Sequence, residues 1–328
     1  MLPVYVRGSL ARTISSHNLV VRPVAVLLAV CCCLSTVSAQ WLEAIVPLPD
    51  SLGGLSHPQH VAYNSTDNKL YVGGDWVARG SLGESSYVIV VDGATKQRIA
   101  HVAVCGFVHD ICYNPHDNKV YVAIWGCDNT GLVVLDGATN HVLAAVAAGG
   151  MPYALCLDSQ DDKVYCANYD PPGLAVIDGA TDSVVATVPV GDYLIGLCYN
   201  PQDNKMYCIG QGAEAVTVID CATHRALASV PASGTEALCY DSRDDVVYCE
   251  CDLESLVAID GATNQVVASI PLGFPGYSVC YNSEDNKVYC SNSGRDSVSI
   301  IDCASNRVVA AVRATAEPLA LCYNADHD

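Results

Sequence analysis

From about His57 to the end of the chain, apolar runs of four to seven residues alternate with polar turn signals, and the pattern recurs six times. Each copy reads close to A-L-C-Y-N-P-x-D-N-K-V-Y-C-x-N, followed by S-V-x-V-I-D-G-A-T-N-x-V-V-A-x-V-P-x-G. With the tyrosine of the V-Y step as marker, the copies fall at Tyr71, Tyr121, Tyr165, Tyr207, Tyr248 and Tyr289. The intervals are 50, 44, 42, 41 and 41 residues. Runs this short, rich in β-branched residues and alternating as in Val216-Thr-Val-Ile-Asp220, are strands rather than helices. A period in the low forties carrying four strands predicts an all-β fold, a β-propeller of four-stranded blades. Most residues are then scaffold, and function is sought where the copies differ.

The copy from Asp192 to Ser233 shows the plan: strands are expected near residues 195–200, 206–209, 215–220 and 226–231. In the D-N-K turns at Asp67, Asp117, Asp203 and Asp285, Asp bonds its own backbone and Asn tolerates positive φ. In the D-G-A-T turns at Asp92, Asp136, Asp178 and Asp260, the aspartate nucleates the hairpin and Gly relaxes it. These repeated acids are turn chemistry and poor candidates for catalysis.

The recurring pattern resembles the YVTN-family β-propeller repeat, itself similar to secreted lactonase-like and surface-layer propellers. V-Y-V stands at Val120–Val122, and V-Y-C at Val164–Cys166, Val247–Cys249 and Val288–Cys290. The final Asn of the name-giving tetrad is met one place late, at Asn168 and Asn292. The resemblance spans about residues 41–324 and implies a fold, usually of seven blades. It implies little about activity, because propellers host many unrelated functions.

Six full blades are expected at about 57–104, 105–148, 149–191, 192–232, 233–272 and 273–313. Trp41–Pro49 matches an outer fourth strand and Leu319–Asn324 an inner first strand. The expected architecture is therefore of the seven-bladed type, with six complete blades and an incomplete seventh split between 41–49 and 319–324. A chain cut short inside the repeat gives that pattern; a six-bladed ring with loose ends is the alternative.

Charge narrows the partners. The chain has 16 Lys+Arg against 35 Asp+Glu, a net of −19. Such a field repels nucleic-acid backbones and anionic lipid surfaces, so neither is expected as a partner. Three of the arginines (Arg7, Arg12, Arg22) precede an apolar stretch over residues 23–37, and Val37-Ser38-Ala39 precedes Gln40. That order is the pattern of an export signal over residues 1–39, cleaved after Ala39. The mature domain, 40–328, is then expected to be secreted, periplasmic or on the cell surface. It has no transmembrane segment and is expected to be monomeric.

Eight of the 18 cysteines recur as four C-x9-C pairs across the first hairpin of a blade: Cys156/Cys166, Cys198/Cys208, Cys239/Cys249 and Cys280/Cys290. With a five-residue turn the two would oppose each other on one face, about 4.5–5.5 Å apart, within disulfide reach. Export would let them oxidise. Alternatively, Cys replaces Val as a small buried hydrophobe, as Ala62/Val72 and Cys112/Val122 suggest. No metal or other cofactor is expected.

Residues just before the inner-strand cysteine would ring the channel mouth: His60, His109, Asp110 and Glu236, with Tyr153 and Tyr277. The four polar groups could act as acid and base for a lactonase-like hydrolase or isomerase, or form a solvated channel mouth. Trp76, Trp125, Tyr153, Tyr169, Tyr193 and Tyr277 offer aromatic surface for a carbohydrate or partner protein. No G-x-S-x-G, P-loop, H-E-x-x-H or C-x-x-C-H motif occurs. The leading expectation is an exported, non-catalytic scaffold that binds through its loops. The alternatives are the hydrolase and a repeat segment of a larger surface protein.

Overall fold

The second and third strands of each repeat are largely apolar because the sheets stack face to face, with blades 2–5 each lying between two others. The computed structural model describes residues 25–27, 45–47, 57–75, 85–126, 131–191, 193–233, 235–251, 254–274, 276–314, 318 and 321. A short antiparallel pair, β1 (Ala25–Leu27) and β2 (Ile45–Pro47), comes first. Six four-stranded antiparallel sheets follow, each a meander in chain order.

Blade 1 is β3 (His57–Asn64), β4 (Lys69–Asp75), β5 (Ser85–Asp92) and β6 (Arg98–Cys105). Blade 2 is β7 (Phe107–Asn114), β8 (Lys119–Trp125), β9 (Leu132–Asp136) and β10 (Val142–Val146). Blade 3 is β11 (Pro152–Asp158), β12 (Lys163–Asn168), β13 (Gly173–Asp178) and β14 (Ser183–Val188). Blade 4 is β15 (Leu194–Asn200), β16 (Lys205–Gly210), β17 (Ala215–Asp220) and β18 (Arg225–Pro231). Blade 5 is β19 (Thr235–Asp241), β20 (Val246–Cys251), β21 (Ser255–Asp260) and β22 (Gln265–Pro271). Blade 6 is β23 (Ser278–Asn282), β24 (Lys287–Asn292), β25 (Ser297–Asp302) and β26 (Arg307–Arg313). The six-blade, all-β propeller read from the repeat is thus present. Of the segments assigned to a split seventh blade, only Ile45–Pro47 and Leu321 are among the described residues.

The core lies between blades rather than within one. Tyr71, Val88 and Val90 of blade 1 pack on Val108, Ile111, Val120 and Val122 of blade 2. Equivalent seams join blades 2–3, 3–4, 4–5 and 5–6. Each fully buried Val, Leu or Ile in these seams contributes about 1.5–3 kcal/mol relative to exposure. Among the described residues no such cluster joins blade 6 to blade 1.

The first and third hairpin turns of a blade each place a residue in the left-handed region. In the first turn it is Asn68, Asn118, Asp162, Asn204, Asp245 or Asn286, with φ between 52° and 55°. In the third it is the fifth residue of D-G-A-T-N, such as Asn140 at φ 64° and Asn264 at φ 57°. The glycine of that turn therefore has another role than conformational relief. A Cβ on Gly93 or Gly137 would collide with the Asn68 or Asn118 side chain of the neighbouring turn. The aspartate does nucleate the turn: Asp136 Oδ1 accepts from Thr139 N at 2.6 Å and from its Oγ1 at 2.9 Å.

A second device ties successive blades. Lys69, Lys119 and Lys205, and the tyrosines Tyr71, Tyr121, Tyr165, Tyr207 and Tyr248, reach into the last hairpin turn of the next blade, whereas Lys163 bonds Asp178 of its own blade. Lys69 Nζ donates to the carbonyls of Gly137 and Ala138, both at 2.7 Å, and Tyr71 Oη to Asn140 at 2.7 Å. Lys119 and Tyr121 grip Asp182 at 2.9 and 2.8 Å. Tyr165, Tyr207 and Tyr248 meet His224, Asn264 and Asn306 in the same way.

The expected cross-strand disulfides are not formed. The first hairpin turn holds four residues, not five, because Asp158 pairs with Lys163; Cys156 thus faces Tyr165 and Cys166 faces Leu155. One residue of register moves a side chain to the other face of the sheet. The same offset separates Cys198 from Cys208, Cys239 from Cys249 and Cys280 from Cys290, and all eight are free thiols. Seven of them, all but Cys280, pack in the seams between blades. Cys105 is disulfide-bonded.

Candidate functional site

Each of the first four inner strands carries a β-bulge near its start, with the register shifting between Pro58 and His60, Val108 and Asp110, Pro152 and Ala154, and Leu194 and Gly196. The bulge leaves one residue outside the ladder and re-aims it, a common device beside binding sites. In blades 2 and 3 the residue so released is His109 and Tyr153.

These two rings join a continuous aromatic row across blades 2, 3 and 4. Phe107, at the start of β7, lies 5.8 Å from Trp125, at the end of β8. Trp125 lies 5.9 Å from His109, and His109 lies 5.2 Å from Tyr153. Tyr153 lies 5.9 Å from Tyr169, and Tyr169 lies 4.8 Å from Tyr193. All five steps fall in the range of favourable ring pairs, each worth about 0.5–1.5 kcal/mol beyond burial. Gly106, at φ +85°, sits in a left-handed conformation against the Trp125 carbonyl, where a Cβ would clash. That glycine lets the chain enter β7 with Phe107 beside Trp125. At the far end Tyr169 Oη donates to Gln211 Oε1 at 2.5 Å. Trp125 and Tyr193 are 39% and 48% exposed, so the row is a surface and not a core.

The acid–base set behaves differently. His60 and Asp110 hold equivalent positions in adjacent blades, and His60 Nδ1 lies 3.8 Å from Asp110 Oδ1. Asp110 Oδ1 also accepts from Ile111 N, and Oδ2 from Leu155 N, both at 2.8 Å. The carboxylate is thus committed to backbone donors in blades 2 and 3. His109 turns away into the aromatic row. Glu236 lies on β19, and its side chain is outside the described residues, as is all of Trp76. Tyr277 donates its N–H to the Ser291 carbonyl in blade 6, away from the row. Phe107 and Gln211 are the members of the site that the repeat did not reveal. The sequence signal for Phe107 was its place after Gly106, just before the inner strand of its repeat.

Buried thiols near the mouth are poor nucleophiles. Burial first, and the neighbouring Asp110 second, pushes the Cys112 thiol up to about 12. One group among the described residues gathers three metal-type donors, His116, Asp117 and Asp162, within 4.8 Å of one another. His116 Nδ1 lies 3.3 Å from Asp117 and 3.6 Å from Asp162. Asp162 also accepts from Asn114 Nδ2 at 2.6 Å and holds the left-handed turn position. The cluster thus does structural work at a contact between turns.

No helix among the described residues is long and apolar enough to cross a membrane. No curated protein is significantly similar to the chain in sequence. Among solved structures, hydrazine synthase of Kuenenia stuttgartiensis superposes with a TM-score of 0.63 at 17% identity, over 81% of this chain and 89% of that one. At that identity the likeness concerns the fold alone. Residues 57–328 match the YNCE-like beta-propeller family, in keeping with the YVTN-type repeat, and the chain belongs to that family.

Proposed function

We propose that this protein is an exported, non-catalytic propeller that binds an extended ligand, a carbohydrate chain in particular, along the aromatic row of blades 2–4. The observation that carries the reading is the row itself: six rings at 4.8–5.9 Å steps, with exposed members at Trp125 and Tyr193. Amphipathic rings suit sugars, offering an apolar face to C–H groups and polar tips at His109, the tyrosine hydroxyls and Gln211. The net charge of −19 disfavours polyanions. Export rests on the basic, apolar and small-residue order of residues 1–39.

The hydrolase reading is favoured by the His60–Asp110 approach of 3.8 Å. It is weakened by the two backbone bonds that already occupy the carboxylate.

A fluorescence titration of the purified chain with soluble neutral oligosaccharides tests the binding reading. Saturable quenching, lost in Trp125→Ala and weakened in Tyr169→Ala, is the expected result. Quenching that survives both substitutions, or none with any oligosaccharide, sinks it. N-terminal sequencing of exported material should begin at Gln40.

A further inference from the structure

The turns that join the first two strands of neighbouring blades touch one another, and at three junctions they share one bond. Asn118 Nδ2 donates to Asp67 Oδ2 at 2.9 Å, Asn204 Nδ2 to Asp161 Oδ2 at 3.0 Å, and Asn286 Nδ2 to Asp244 Oδ2 at 2.9 Å. Between blades 2 and 3, and between blades 4 and 5, Asp162 and Asp245 stand where the others have that asparagine. Each of these junctions sets two carboxylates side by side, Asp117 with Asp162 and Asp203 with Asp245. Like charges at that range need a cation or a shared proton. At the 4–5 junction Lys205 Nζ lies 3.3 Å from Asp203 Oδ2. At the 2–3 junction the equivalent Lys119 is engaged with Asp182 of blade 3, at 2.9 and 3.0 Å. His116 stands there instead, where the other turns have Thr66, Gln160, Gln202, Arg243 and Glu284.

The donor geometry suits a metal ion. His116 Nδ1 lies 3.3 Å from Asp117 Oδ1 and 3.6 Å from Asp162 Oδ2. A tetrahedral ion with bonds of about 2.0–2.2 Å spaces its ligands roughly 3.3–3.6 Å apart. A second observation is independent of that spacing. Asp117 Oδ2, the atom that takes the asparagine amide at three other junctions, is covered from solvent and has no hydrogen-bond partner among the described residues. A merely solvated acidic cluster would leave that oxygen in water. Fully buried Asn114 holds the set in place. Its Oδ1 accepts from His116 N at 2.9 Å, and its Nδ2 donates to Asp162 Oδ1 at 2.6 Å, which leaves Asp162 Oδ2 for the ion.

We propose that His116, Asp117 and Asp162 bind a divalent ion of the zinc type, which pins blade 2 to blade 3 at the end of the inner strands opposite the aromatic row. An imidazole with two carboxylates suits such an ion, whereas calcium and magnesium favour sets made of oxygen alone. Three protein ligands leave the fourth position to water. His116 is 72% exposed, so the ion can enter from solvent.

Calorimetric titration of the chelator-treated full chain with zinc chloride tests this. One saturable equivalent is expected, together with a rise in melting temperature. His116→Gln should weaken binding by at least about tenfold, the lower end for loss of even an outer-sphere partner. Asp162→Asn should abolish binding yet leave the metal-free chain at least as stable, because it recreates the asparagine bridge of the other junctions. That variant separates lost binding from lost folding. Asp245→Asn, at the junction without a histidine, should bind zinc as the parent does. Cobalt in place of zinc should give no sulfur-to-metal absorption band, since no thiol belongs to the set. A flat titration, equal binding by His116→Gln, or a sulfur-to-cobalt band overturns the proposal.

Discussion

Asp110 Oδ2 accepts the backbone N–H of Leu155 at 2.8 Å, so a side chain at the channel mouth holds the inner strand of the next blade. This fixes what Asp110 is for. Asp110→Ala should lower the unfolding free energy by about 1–3 kcal/mol, the range for a buried donor left without its charged acceptor. Urea denaturation measures that loss. Oligosaccharide binding should be unchanged in the folded variant; a fall in a measured lactonase activity with intact stability would restore the catalytic assignment.

Tyr121 and Lys119 converge on Asp182 in blade 3. Tyr121→Phe should cost about 1 kcal/mol, since Lys119 still satisfies the carboxylate. The double variant with Lys119→Met should cost less or more than the sum, with a coupling of about 0.5–3 kcal/mol. Additive losses would show that the two contacts act independently.

The seam cysteines should behave as hydrophobes. Burial pushes the Cys198 thiol up to about 12 and raises Cys166 as well, so both stay neutral at physiological pH. A thiol reagent should find them unreactive in the native protein and fully reactive in guanidinium. Cys166→Val should cost less than about 1.5 kcal/mol, as volume-conserving swaps do. Cys166→Ser should cost about 1–3 kcal/mol for a buried hydroxyl. Peptide mapping under non-reducing alkylation that recovers Cys156 joined to Cys166 would refute the register.

The turn aspartates set the acid limit. A Thr181 hydroxyl first, and Lys163 second, holds Asp178 down at about 2. Thr95, Thr139 and Thr263 lower Asp92, Asp136 and Asp260 in the same manner. A carboxylate whose folded pKa lies below its unfolded value of about 3.9 stabilises the fold fully above that pH. The stability is lost as pH falls through the folded value, here between about 4 and about 2 for Asp178. Burial raises Asp245, which works weakly the other way. The urea midpoint should therefore fall steeply across this window, and Asp178→Asn should flatten the slope.

The fold was legible because a repeat multiplies every weak signal: six tyrosine-marked copies, four of them with an intact D-G-A-T turn, outweigh ambiguity in one strand. The cysteine pairing misled because a single residue of turn length decides which face a side chain takes. Four residues between Asp158 and Lys163 put Cys156 and Cys166 on opposite faces. The aromatic row was half visible. Trp125, Tyr153, Tyr169 and Tyr193 stood out as departures from the repeat, but the bulge that releases His109 and Tyr153 has no sequence mark of its own. Nor could spacing show that His60 and Asp110, fifty residues apart, meet across a seam.

The grips of Lys69, Lys119 and Lys205, and of the five tyrosines from Tyr71 to Tyr248, run from one blade to its successor. These grips thus have a direction, although Asn118, Asn204 and Asn286 reach back to Asp67, Asp161 and Asp244 of the preceding blade. A blade pulled from its carboxyl-terminal side must first surrender its own grip on the next turn, while one pulled from the other side must be released by its predecessor. With stability carried mainly by contacts between neighbours, disassembly should proceed as an ordered peeling from the blade 6 end. Blade 1 holds its successor through Lys69 and Tyr71, and it would be among the last to let go.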